Sequence, residues 1–214
     1  MTKEKTQGFS FDKFTCAVIG MGGLGCNIAV HLAGAGTGKL ILVDYDKVSK
    51  SNLNRQFLYT AEDIGKPKVL CAKKRLEDFS PDIKITALPV KIIKDSIPDE
   101  LKACDKIFLA VDNKKAREVI SEFSEENKIP LMLGGIDGFY GKTYLYIPEI
   151  TPTPKRAGMT DGKKAATNIS AAAGIIGSIQ VSTGIQYLIT KNKNLGGKLT
   201  VFDKDTFSTL TLNK

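Results

Sequence analysis

Residues 20–25, Gly20-Met21-Gly22-Gly23-Leu24-Gly25, space three glycines as GxGxxG. Between a strand and a helix, such a turn lets backbone N–H groups approach a phosphate at the helix's positive end. An acid, Asp44, follows at about 20 residues, the spacing at which a strand-end carboxylate meets ribose hydroxyls. The run Asp44-Tyr45-Asp46-Lys47-Val48-Ser49-Lys50-Ser51-Asn52-Leu53-Asn54-Arg55-Gln56 then gathers acids, amides and a guanidinium. Charges of both signs at the carboxyl edge of a parallel sheet point to a phosphate-and-metal site. Gly65-Lys66-Pro67-Lys68 sets two lysines at the start of a helix, where an ammonium adds to the positive end and suits a polyphosphate. A nicotinamide-dependent oxidoreductase fits the segment as far as Asp44. The polar run beyond it is not a usual dehydrogenase continuation.

These residues need elements to hold them. Apolar runs at 14–20, 39–44, 82–88, 106–112 and 129–134 read as strands. Segments 23–35, 66–78 and 114–127 have helical periodicity. Strands alternating with helices predict an α/β fold with a doubly wound, mostly parallel, Rossmann-like sheet. Beyond it, 141–147, 198–203 and 206–212 read as C-terminal antiparallel strands, and 170–190 as a buried helix. Residues 148–168 hold prolines, glycines and basic residues with little apolar content, and are expected to form a flexible crossover loop. The expected organisation is an N-terminal arm at 1–13 and one nucleotide-binding domain at 14–214. The stretch 169–189 is broken by Ser, Gly, Thr and Gln, so no apolar run is expected to span a bilayer. The polar N-terminus is expected to carry no signal peptide, and a cytoplasmic location is expected.

The pattern DxDxVxxSNLxRQ followed by GxPK resembles the signature of the ThiF/MoeB/HesA family, bacterial relatives of the ubiquitin-activating enzymes. Asp112-Asn113 with Arg117 is similar to the family's DNxxxR motif, and 197–203 to its closing strands. The resemblance implies an ATP-dependent adenylyltransferase that forms an acyl-AMP on the C-terminal carboxylate of a ubiquitin-like carrier protein ending in Gly-Gly. It further implies that Gly20, Gly22 and Gly25 shape the nucleotide turn and that Asp44 holds the ribose. Asn52, Arg55 and Lys68 would contact the triphosphate, and Asp112 would hold Mg²⁺. Gln56 and Asp46 are secondary candidates. Arg117, one turn into a helix, reads as a structural ion-pair partner. The chemistry suits such a set. A carboxylate becomes a good acyl donor by attacking the α-phosphorus of ATP, which demands alignment and neutralised phosphate charge rather than an enzyme nucleophile.

The chain departs from the family in three places. Residues 1–20 lack the arginine that completes a neighbouring subunit's site in many relatives, leaving Lys3, Lys5 or Lys13 as substitutes. There is no CxxC pair, so no zinc is expected. No cysteine follows Cys104, so the acyl group is expected to pass to a separate sulfur donor. Cys16, Cys26, Cys71 and Cys104 read as reduced, structural thiols. His31 reads as a packed or surface helix histidine rather than a general base. The small residues Ala171, Ala172, Ala173, Gly174, Gly177 and Ser178 permit close helix packing, within the chain or across a homodimer, and the resemblance favours the dimer. The net charge of +8 is spread without interleaved aromatics, a pattern expected to draw an acidic partner rather than nucleic acid. A tRNA-modifying adenylating dehydratase and a non-catalytic carrier-binding member are the competing readings.

Overall fold

The computed structural model describes residues 11–161 and 169–214. Arm residues 1–10 and loop residues 162–168, with Lys3 and Lys5 among them, lie outside the described residues. Four apolar runs form parallel strands: β1 (Thr15–Ile19), β2 (Lys39–Val43), β3 (Lys84–Leu88) and β4 (Lys106–Leu109), with β5 (Leu131–Asp137) completing the parallel set. The sheet continues antiparallel through β6 (Tyr140–Tyr146), β7 (Lys198–Asp203) and β8 (Thr206–Thr211). The order is β3-β2-β1-β4-β5-β6-β7-β8. The expected mostly parallel sheet with antiparallel C-terminal strands is the observed one.

β1 pairs with β2 on one side and β4 on the other, so chain direction through the sheet reverses at β1. Ile19 lies opposite both Val43 and Leu109, and Leu109 lies opposite Leu133. The carboxyl ends of β1, β2 and β4 therefore stop at one level, where the chain leaves them at Gly20, Asp44 and Ala110, while β5 carries Gly134 just past that level. Ligands of open α/β sheets bind at such a crevice.

Helices α1 (Gly23–Gly34), α2 (Lys68–Phe79) and α4 (Ser170–Thr190) cover one face, where Leu24, Ile28, Leu76, Val18, Leu42 and Ile176 share a core. Helix α3 (Lys114–Glu126) covers the other, with Ile120 and Phe123 packed on Ile19, Leu109 and Leu133. α4 is 21 residues long and, by length and composition alone, apolar enough to cross a bilayer, contrary to the sequence reading. Within the fold it buries Ala173, Ile176, Gly177, Gln180 and Val181. Of its small residues, Ala172, Ala173 and Gly177 are buried inside the chain, and a side chain at Gly177 would meet Asn27 Cβ of α1 at 2.9 Å.

Several boundaries differ from the sequence reading for local reasons. α2 begins at Lys68, because Pro67 precedes it in an extended conformation and pairs with Lys47. β4 stops at Leu109, after which Ala110 N–H makes a last bond to Ile19 O at 2.8 Å. β5 runs on to Asp137, because it turns into β6 through a hairpin at Gly138, φ +58°. The described part of the crossover loop is packed rather than flexible. Thr151, Ala157, Met159 and Thr160 are buried, and the Tyr144 hydroxyl donates to Pro152 O at 2.7 Å.

Candidate active site

A cleft of about 1070 Å³ opens at the level where the strands end, lined by the glycine turn, Asp44–Asp46, Asn52, Arg55, Gln56, Lys68, residues 110–113 and residues 115–117. Gly20 takes φ +91°, and a Cβ there would meet Ala110 O at 2.7 Å. A Cβ at Gly25 would fall 1.8 Å from Gly20 O, so only glycine lets α1 start this close to the turn. Gly22 is the N-cap of α1 and offers no side-chain cap. The first-turn N–H groups thus remain open toward the cleft, as an anion requires.

Asp44 holds this turn in shape. Its Oδ2 accepts from Met21 N–H at 2.6 Å and its Oδ1 from Asp46 N–H at 2.8 Å. Tyr59, which the sequence reading passed over, braces the same turn from below by donating its hydroxyl to Met21 O at 2.8 Å. Nothing in its local pattern marks it; only the fold carries it under the glycines.

The 50–56 segment folds as a short 3-10 turn over Lys50–Asn52, closed by Asn52 Oδ1 accepting from Ser49 N–H at 3.0 Å. Arg55 leaves this turn toward the cleft. Its Nη1 donates to Ser51 O at 2.8 Å and Asn54 Oδ1 at 2.9 Å, and among the described residues it makes no ion pair. Gln56 is buried at 3 % exposure, its Oε1 without a hydrogen-bond partner among the described residues, and it lines the same cleft. Lys68, the first residue of α2, is buried and donates to Asp46 Oδ2 at 3.1 Å. Lys66, read alongside it, points away to Asp63 at 3.7 Å and does not line the cleft.

Asp112 is exposed at the cleft's edge with no hydrogen-bond or ion-pair partner among the described residues. Arg117 corrects the sequence reading. It is buried and makes no ion pair among the described residues; its Nη1 donates to Met159 O at 2.9 Å and its Nη2 to Gly134 O at 2.6 Å. Burial lowers its pKa, while the nearby Asp112 carboxylate favours its charge. It ties α3, β5 and the loop after β6 into one wall. Lys142 of β6, also unforeseen, lines the cleft and donates to Gly158 O at 2.6 Å.

All of Gly20, Gly22, Asp44, Asn52, Arg55, Gln56, Lys68 and Asp112 line this cleft, while Gly25 shapes the turn from within α1. No cysteine does: Cys16, Cys26 and Cys104 are buried elsewhere, and Cys71 lies on α2. Burial pushes Cys16, Cys26 and Cys104 up to about 12. His31 is exposed and bonds Ser178 Oγ at 3.0 Å across α1 and α4, away from the cleft. Lys13 lies beside Phe14, at the amino end of β1, the edge opposite the chain's own cleft. Among the described residues, no three metal-liganding side chains cluster. A magnesium ion here would rest on Asp112 and on the nucleotide's own oxygens, which fits its habit of using one or two carboxylates plus phosphates.

The sulfur carrier protein ThiS adenylyltransferase of Escherichia coli is 33% identical over 192 residues, covering 87% of this chain and 76% of that protein. The molybdopterin-synthase adenylyltransferase of the same organism is 32% identical over 216 residues, covering 94% and 85%. The crystal structure of Escherichia coli MccB with AMPCPP and MccA superposes with a TM-score of 0.82 at 18% identity, covering 95% of this chain and 65% of MccB. The chain thus spans less than two thirds of that structure's length. Residues 9–214 match the family model described as the ThiF family, and with relatives at this identity across nearly the whole chain, the protein belongs to that family.

Proposed function

We propose that this chain is an ATP-dependent adenylyltransferase acting on the C-terminal glycine carboxylate of a small ubiquitin-like sulfur-carrier protein. One observation carries the reading: Arg55, a cation with no ion pair among the described residues, and Asp112, a carboxylate with no hydrogen-bond or ion-pair partner among them, face one cleft whose floor is an uncapped helix N-terminus. Opposite charges that do not neutralise each other in a shared crevice fit a ligand that brings both phosphate and metal. The relatives named above are a sulfur-carrier-protein adenylyltransferase and a molybdopterin-synthase adenylyltransferase, which favours a protein carboxylate over a base or a nicotinamide as the second substrate.

In this reading the turn at Gly20–Gly25 presents N–H groups to the phosphates, and Asp44, fixed by two backbone bonds, meets the ribose. Arg55 and Lys68 neutralise the charge that gathers on the leaving pyrophosphate. Lys68 must turn from Asp46 to do so, and Asp46 is half exposed at its side chain, so the exchange leaves no buried orphan. Bound magnesium would supply further neutralisation of the phosphate oxygens beside Asp112. The step needs no protein nucleophile. A carboxylate oxygen bonds to the α-phosphorus, the bond to the bridging oxygen breaks, and its electron pair leaves with pyrophosphate. With every cysteine outside the cleft, the acyl-AMP goes to a separate sulfur donor.

The test is ATP–pyrophosphate exchange with purified carrier proteins ending in Gly-Gly. Exchange should appear with at least one such carrier and vanish when its terminal glycine is removed. Folded protein that binds Mg-ATP but exchanges with none of them would overturn the reading.

A further inference from the structure

One end of the cleft is not accounted for by the nucleotide. Beyond Asp112 the wall passes to Gly135 of β5 and Lys142 of β6, which lie directly opposite each other in the antiparallel ladder. Residues 140, 142 and 144 share a face with 135 and 137, since side chains alternate along a strand. Tyr144 packs in the core beneath α3, so this is the α3 side of the sheet. At Gly135 an added Cβ would meet only Arg117 Nη2, at 3.6 Å. The floor there is bare backbone, with a guanidinium on one side and an ammonium on the other.

The cations at this end make no ion pair among the described residues, although the exposed carboxylates Asp112, Asp137 and Asp161 line the same cleft. Arg117 already gives its Nη atoms to two carbonyls. Lys142 is half-buried, donates to Gly158 O, and makes no ion pair among the described residues. Asp161 is the carboxylate that acts on it, and it stands outside ion-pair range. Two partly desolvated cations flanking an open strip of glycine backbone favour a ligand that is narrow and anionic. A tail ending in glycine, with its terminal carboxylate, is such a ligand.

Resting on the adenylation reading, we propose that Lys142 is a substrate-positioning residue: its ammonium receives the carrier's terminal carboxylate as the tail lies over Gly135 and holds it in line with the α-phosphorus. In receiving it, Lys142 exchanges a neutral carbonyl for a full negative charge, a stronger partner. The reaction itself is unchanged: a carboxylate oxygen bonds phosphorus, pyrophosphate departs with the electron pair, and Lys142 transfers no proton.

Three variants separate charge from scaffolding. Lys142→Gln keeps a donor for Gly158 O but removes the charge; Lys142→Arg keeps the charge; Gly135→Ala narrows the strip at a contact that α3 tolerates. Pyrophosphate exchange is titrated separately in ATP and in a ThiS-type carrier ending in Gly-Gly, with thermal melts alongside. Lys142→Gln should raise the carrier KM at least about tenfold, leaving the ATP KM within about twofold and the melting temperature unchanged. Lys142→Arg should recover most of the loss, and Gly135→Ala should raise the carrier KM alone. A wild-type carrier KM in Lys142→Gln, an equal rise in the KM for ATP, or Lys142→Arg as poor as Lys142→Gln overturns the proposal. Wild-type protein that exchanges with no carrier removes the adenylation reading instead, and is told apart because no wild-type activity then exists to compare.

Discussion

Asp112 owes its availability to its neighbour. Asn113 caps α3 by accepting Ala116 N–H at 2.8 Å, so the helix terminus does not recruit the adjacent carboxylate. Asp112→Ala should therefore lower pyrophosphate exchange at least about a hundredfold while leaving the melting curve where it was. Arg117 is the reverse case, a residue whose removal is felt mainly in stability. Arg117→Met strips charged donors from Gly134 O and Met159 O, and urea unfolding should register a loss of about 3 kcal/mol. Lys106, at the start of β4, is fully buried, its Nζ unpartnered and 4.8 Å from the Tyr187 ring. Burial pushes its pKa down to about 7 from 10.5. Between those two values the unfolded chain binds the extra proton and the folded chain does not, so stability rises with pH across that window. Below about pH 7 both states are protonated, and the full cost of enclosing the ammonium applies. Urea melts at several pH values should show that slope, and Lys106→Met should flatten it and stabilise the protein near neutrality by about 1–4 kcal/mol.

At the scale of elements, the glycine turn is the piece whose geometry tolerates least. Gly25→Ala sets a Cβ against Gly20 O, a backbone atom that cannot step aside without moving β1 or α1. The expected result is a melting temperature lower by at least about 4 °C, with Mg-ATP binding weakened in a calorimetric titration. The turn was legible in sequence because its glycines, strand and helix are contiguous, and the same holds for α4 and the β7–β8 pair, whose bounds agree with the reading to within a residue. Elements set by distant partners were not legible. Residues 148–161 look like a polar loop, yet Tyr144, Lys142 and Arg117 fasten them, the last from 42 positions away. Nothing local distinguishes Lys106 from any polar residue at a strand mouth. Its enclosure depends on α4 crossing β4, where Gly184 lets the helix settle on Phe108 and the lysine stem.

For the whole molecule, the site is a matter of register more than of any motif. The level ends of β1, β2 and β4, with β5 running past beside them, bring Gly20, Asp44, Asp112 and Gly134 to one edge, though more than a hundred residues of chain separate the first from the last. A sequence reading finds the residues at each strand end; the sheet order decides that they meet, and it adds β6, which supplies Lys142. The opposite margin has its own consequence. β8 is exposed along its whole length, with Phe207 and Leu210 more than half exposed and, among the described residues, no further strand beside it. Its outer amides and carbonyls are a template on which another chain can build, the usual hazard of an uncovered border. Two copies meeting there antiparallel would bring the net-negative turn Asp203-Lys204-Asp205 of one against Lys214 of the other. That attraction adds to the backbone template, so the border is a seed for pairing between copies wherever it is left uncovered.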